Sequence, residues 1–103
     1  MFVTRADRLQ AFWEKHADAE AALTAWLQIV EAATWRTAVD LRATYGRADP
    51  AVPVASGRRV AVFNIKGNKY RLIAAVDYAL GAVNVLRVLT HAEYSKEKWK
   101  ALL

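Results

Sequence analysis

Two residues in the segment THAEY, His91 and Tyr94, are of a type that moves protons. An imidazole with a reference pKa of about 6.5 gives or takes a proton near neutrality. A phenol three residues further on can donate, accept or stack on a nucleobase. Upstream, residues 63–72 read FNIKGNKYRL and carry Lys66, Lys69 and Arg71. Cations beside a proton-transfer group suit chemistry on a phosphodiester, where negative charge must be held while protons change places.

Plainer readings of the same residues exist. Thr90 and Glu93 have the spacing of a capping box that starts a helix. Long cationic side chains can also splay into water, where salt screens their repulsion. His16, the other histidine, ends an amphipathic segment and receives no role. Two histidines with no His-x-x-x-His pair, and no cysteine at all, make no zinc site. The acids are scattered, with only Asp77 on the central strand, which argues against a two-metal nuclease. There is no Walker loop and no GxGxxG, so neither metal nor cofactor is expected.

The elements that must hold these residues change character along the chain. Phe2 and Val3 suit a short strand. Thr4 is expected to cap a helix over residues 5–16, with Leu9, Phe12, Trp13 and His16 on one face. Asp18 is expected to cap a second helix, whose stripe is Leu23, Trp26, Leu27 and Val30. Thr37 and Asp40 resemble the start of a third helix ending near Gly46. Residues 46–57, GRADPAVPVASG, read as loop.

The period then becomes two. In 60–66, VAVFNIK, one face carries Ala61, Phe63 and Ile65, and the other Val60, Val62, Asn64 and Lys66. Gly67-Asn68 suits a tight hairpin turn with positive φ at the glycine. The return strand, 69–78, then pairs Ile65 with Tyr70, Asn64 with Arg71 and Phe63 with Leu72, a register that matches apolar sets. Ala79-Leu80-Gly81 closes a second hairpin. The strand at 82–90 places Leu86 and Val88 with Leu72 and Ala74, and Arg87, Leu89 and His91 opposite. A helical tail follows over 92–102. The fold class is α+β, with N-terminal helices on one face of a small antiparallel sheet and a C-terminal three-stranded meander.

Parity puts Asn64, Lys66, Lys69, Arg71, Arg87 and His91 on the sheet face the helices leave uncovered. Like charges directly opposite one another on neighbouring strands cost up to about 1 kcal/mol per pair. A bound phosphate over Lys66 and Lys69 would offset that cost.

Charge and length bound the rest. The chain has 103 residues, which suggests one domain over 1–103, and a net charge of +5. Residues 1–56 hold six Lys/Arg against seven Asp/Glu, and residues 57–103 hold nine against three, so the halves carry −1 and +6. A basic C-terminal half points to a polyanion such as nucleic acid. The N-terminus MFVTRADR turns polar too soon for a secretory signal. No apolar run approaches the roughly 18–20 residues of a membrane span. A soluble cytoplasmic protein with no membrane partner is the expectation.

The stretches VFNIKGNKYRL, LRVLTHAEY and FWEKHADAEAAL resemble the HigB-type mRNA interferase toxins of the RelE-like superfamily, over essentially the whole chain. The resemblance implies the toxin of a toxin–antitoxin pair, silenced by a cognate helix-turn-helix antitoxin. It implies an endoribonuclease that cuts mRNA, often on the translating ribosome. Lys66 and Arg71 fall at the family's basic strand positions. His91 follows the last strand, where relatives often carry another residue, and Tyr94 lies near a tyrosine used by some of them. On this reading His91, Arg71, Lys66 and Tyr94 are catalytic, and Asn64, Asn68, Lys69, Arg87, Arg58 and Arg59 bind RNA. The rival reading is an RNA- or ribosome-binding module without chemistry. A basic DNA-binding domain is a third, but no recognition helix flanked by cations is evident.

Overall fold

The computed structural model describes residues 1–103. Strand β1 (Phe2–Thr4) leads into α1 (Asp7–Lys15), a 3-10 turn (Ala17–Ala19), α2 (Glu20–Ala32) and α3 (Ala38–Thr44). Strands β2 (Asp49–Pro53), β3 (Arg59–Ile65), β4 (Tyr70–Asp77) and β5 (Ala82–Thr90) follow, then α4 (His91–Ser95) and α5 (Lys98–Leu102). No helix is long and apolar enough to cross a membrane.

The strands form one five-stranded sheet in the order β1-β5-β4-β3-β2, antiparallel except for the β1–β5 pair. The meander of β3, β4 and β5 is as expected, and so is its register: Ile65 pairs with Tyr70, Asn64 with Arg71 and Phe63 with Leu72. Apolar alternation fixes this pairing, because a one-residue slip would drive cations into the core.

The sheet is wider than the alternation alone suggested. Residues 49–53 fell in an expected loop, yet they form β2, an edge strand on β3. Pro50 and Pro53 read as loop signals, but an edge strand tolerates prolines because one side of it needs no N–H donors.

The two faces of the sheet carry separate cores. On the helix side Leu9, Leu23, Trp26 and Val30 pack on Phe63, Ile65, Leu72, Val83 and Val85. Trp26 meets the Phe63 ring edge-on, with centroids 5.4 Å apart. On the other side Val60, Val62, Ile73 and Leu89 are covered by Val52, Val54 and Trp99. The face expected to be uncovered is therefore partly closed by Val54, just after β2, and by Trp99 of α5.

A bulge breaks the alternation of β5. Ile73 pairs with Arg87 but Ala74 with Val85, so Leu86 is the additional residue. It joins the second core and not the helix side, where simple alternation put it.

Three expected side-chain caps are absent. Thr37 stands at the N-cap position of α3, but its side chain caps no backbone N–H. Thr4 donates its hydroxyl to Asn84 Oδ1, and Ala6 precedes α1 without a side-chain cap. Asp18 lies in the 3-10 turn and caps nothing; α2 starts at Glu20. The tail helix is two short helices, separated where Glu97 takes a left-handed φ of 58°.

Candidate active site

Arg71 is the one charged residue buried in the chain, at 8 % exposure. Strand alternation turns it to the face opposite the N-terminal helices, beside Asn64 on β3. Its Nη1 donates to the carbonyls of Asn68 (3.0 Å) and Tyr70 (3.3 Å), and its Nη2 to Asn68 Oδ1 (2.5 Å). The guanidinium lies 5.2 Å from the centre of the Tyr94 ring. No carboxylate lies within ion-pair distance of it. A buried cation is normally paired; this one has carbonyls, an amide and an aromatic face. Nε and one Nη2 hydrogen stay uncommitted.

Tyr94 is held where Arg71 meets it by α4 and α5. Thr90 accepts the Glu93 N–H and Glu93 accepts the Thr90 N–H, so the capping box foreseen in the sequence starts α4. The Thr90 N–H and nearby positive charge hold the Glu93 carboxyl below the usual range. Tyr94 stacks on Trp99 with centroids 5.4 Å apart, and the Trp99 indole N–H donates to the Tyr94 carbonyl. Arg71 and Trp99 thus both lie against the Tyr94 ring.

His91 is exposed at the start of α4. Its backbone N–H donates to the Lys69 carbonyl at 3.0 Å, extending the β4–β5 ladder by one rung. The next pair along that ladder on the same parity is Arg71 with Leu89, so His91 is roughly 7 Å of strand from Arg71. Nδ1 of the imidazole faces the Ser95 hydroxyl at 3.4 Å.

Lys66 and Lys69 depart from the expected placement. Lys66 takes a left-handed φ of 52° just before Gly67 at 65°, and that pair of positive φ values ends the strand alternation. Both ammonium groups turn toward the helix side and meet Asp18: Lys66 at 3.3 Å, and Lys69 on the same Oδ2. Tyr70 donates its hydroxyl to Asp18 Oδ1 at 2.6 Å. These contacts, that with Lys69 foremost, hold the Asp18 carboxyl far below the usual range and raise Lys69 and Tyr70. The anion that relieves the repulsion between the two lysines is thus an aspartate of the chain itself, where a ligand phosphate was expected. Lys66 and Arg71 do not converge on one point.

The remaining expected residues divide. Asn68 joins Arg71 directly, and Asn64 stands opposite it. Arg87 lies at the edge of β5 beside Glu93. Arg58 and Arg59 sit at the far end of β3, about 20 Å of strand from Ile65, where Arg59 Nη1 donates to the Ala51 carbonyl. They are not part of this cluster. His16, given no role from sequence, stacks on Phe12 with centroids 4.4 Å apart and lies 5.6 Å from the Tyr70 ring. Asp18 was missed because its partners lie 48 to 52 residues away, beyond the reach of any local pattern. No three His, Asp or Glu side chains come together to hold a metal ion.

Residues 19–97 match the model of the family described as HigB_toxin, RelE-like toxic component of a toxin-antitoxin system. The chain belongs to the HigB toxin family. Among curated proteins nothing matches it. The matched segment contains Asp18's neighbours in α2, the whole sheet apart from β1, and the Arg71, His91 and Tyr94 cluster. A HigB-family toxin implies an antitoxin as its partner. The α+β layering of helices on a mostly antiparallel sheet agrees with a RelE-like fold.

Proposed function

We propose that this HigB-family toxin is an endoribonuclease that cuts mRNA, on the translating ribosome, without a metal. The single observation that carries this reading is the buried Arg71, which has no carboxylate partner and lies against Tyr94, two rungs along the ladder from His91. A phosphodiester oxygen would complete the charge balance of the guanidinium through its uncommitted N–H groups.

In the reaction the ribose 2′-oxygen attacks the adjacent phosphorus, the bond to the 5′-oxygen breaks, and a 2′,3′-cyclic phosphate remains. One group must take the 2′-hydroxyl proton and another must return a proton to the leaving 5′-oxygen. His91 Nε2 and the Tyr94 hydroxyl are the two candidates, and each such transfer contributes about 10²- to 10⁴-fold. Arg71 stabilises the charge that builds on the phosphate. Asn68 aims the guanidinium and Asn64 flanks it. Lys66 and Lys69 serve at longer range, since Asp18 already engages them. The cognate partner is an antitoxin with a helix-turn-helix domain, and the site of action is the cytoplasm.

The test is end-mapping of translated mRNA with purified wild type, His91→Ala and Arg71→Lys. Cleavage is expected from wild type, with 2′,3′-cyclic ends, and a loss of at least about 10²-fold in each variant. Equal rates in all three would remove the site. Translation arrest with intact mRNA would favour the non-catalytic binding module.

A further inference from the structure

We infer that single-stranded RNA is led to the Arg71 site along a basic strip at the β5 edge, running from α1 to α5. This rests on the ribonuclease reading above and names the path that its substrate takes.

Two grooves make up the strip. One, of about 340 Å³, lies between α1 and β5 and is lined by Arg8, Lys15, His16 and Arg87. The other, of about 150 Å³, lies between β5 and the C-terminal helices and is lined by Arg87, Lys96 and Lys98. Arg87 and Glu93 belong to both, so the grooves meet there. Glu93 is the one acid on the path, and its carboxylate is already committed to the Thr90 N–H.

Arg8 Nη1 already donates to the carbonyls of Val85 and Leu86; the other cations of the strip are free for a ligand. Lys15, Lys96 and Lys98 are exposed and Arg87 is half-exposed. None of the four lies within ion-pair distance of a carboxylate. This contrasts with Lys66 and Lys69, whose charge Asp18 absorbs. The floor is apolar, with Phe12 and Val88 in one groove and Leu89 and Trp99 in the other. Spaced cations over an apolar floor fit a chain with a charged backbone and flat bases. β1 covers residues 82–84 of β5 and Arg8 engages the carbonyls of Val85 and Leu86, so the edge left to such a chain starts at Arg87.

The experiment titrates a fluorescent 2′-O-methyl oligoribonucleotide, which cannot be cut, against wild type and against Lys15→Ala, Lys98→Ala and Arg36→Ala over a range of salt. Arg36 lies outside the strip, in a groove beside Phe2 and Leu80. The slope of log K on log salt is expected to fall by about 0.7 for Lys15→Ala and for Lys98→Ala, with weaker binding, and to stay unchanged for Arg36→Ala. Slopes unaltered in both lysine variants would overturn the strip while leaving the ribonuclease reading intact. So would wild type that cuts translated mRNA yet does not hold the oligonucleotide. Wild type that does neither would overturn both. Variants that bind RNA normally but lose their antitoxin would reassign the strip to that protein.

Discussion

Tyr70 and Asp18, 52 residues apart, are joined by a 2.6 Å hydrogen bond from the phenol to the carboxylate. With Lys66 and Lys69 on the same carboxylate, this one side chain ties the turn between β3 and β4 to the helical layer. The sign of its pH dependence follows. Asp18 is held below its unfolded value of about 3.9, so its contribution is complete above that pH and is lost as pH falls toward the folded value. Lys69 and Tyr70 are raised, so theirs is complete below about pH 10 and fades above it. Denaturant midpoints measured from pH 2 to 8 should fall below pH 4 in wild type. Asp18→Asn should be less stable at neutrality and should show a flatter acid limb. A parallel acid limb in the variant would mean that the contact does not form in solution.

Tyr94→Phe separates a hydroxyl from a ring. The ring keeps its contacts with Arg71 and Trp99, so the melting temperature should stay within a few degrees of wild type. Cleavage of translated mRNA should drop by about 10²-fold or more if the phenol moves a proton. An unimpaired rate would leave His91 as the sole proton-transfer group of the pair.

Trp99 closes the second core at 3 % exposure. Trp99→Ala is expected to cost about 3–5 kcal/mol, the range for truncating a large buried aromatic. Urea unfolding reads this directly. A cost below about 1 kcal/mol would show that α5 is dispensable to the fold.

The capping box makes a smaller prediction. Thr90→Ala removes the acceptor for the Glu93 N–H and should cost about 1 kcal/mol. Because α4 carries both His91 and Tyr94, activity at saturating substrate should fall more than the stability loss explains. Thr90→Ser should restore both quantities.

Cleavage should be unaffected by EDTA once any ribosomal requirement for magnesium is removed, for example with free RNA. Loss of activity on chelation, restored by a divalent ion, would contradict the metal-free mechanism.

The meander was legible in the sequence because its signals are local. Alternation in 60–66, a glycine at the turn and matching apolar sets are all contained in about twenty residues. The capping box of α4 was legible for the same reason. Asp18 was not: it resembled a helix cap, and only the folded chain brings Lys66, Lys69 and Tyr70 to it. The second core was hidden because Val52 and Val54 stand among prolines and Trp99 in a charged tail. The open face deduced from parity therefore fails even at Arg71, which is buried, and holds at His91, which is exposed. Lys66 escaped parity because a left-handed residue resets which way the next side chains point.

The strand order has a consequence for how such a toxin is made. β5 sits between β1 and β4, and Thr4 reaches its partner Asn84 across 80 residues. A chain emerging N-terminus first therefore holds its opening strand and helices without their neighbour for most of its synthesis. Until residues 82–99 are free, neither hydrophobic layer is sealed and Arg71 has no Tyr94 to lie against. The last fifth of the chain therefore seals both layers, and folding finishes only once it is free.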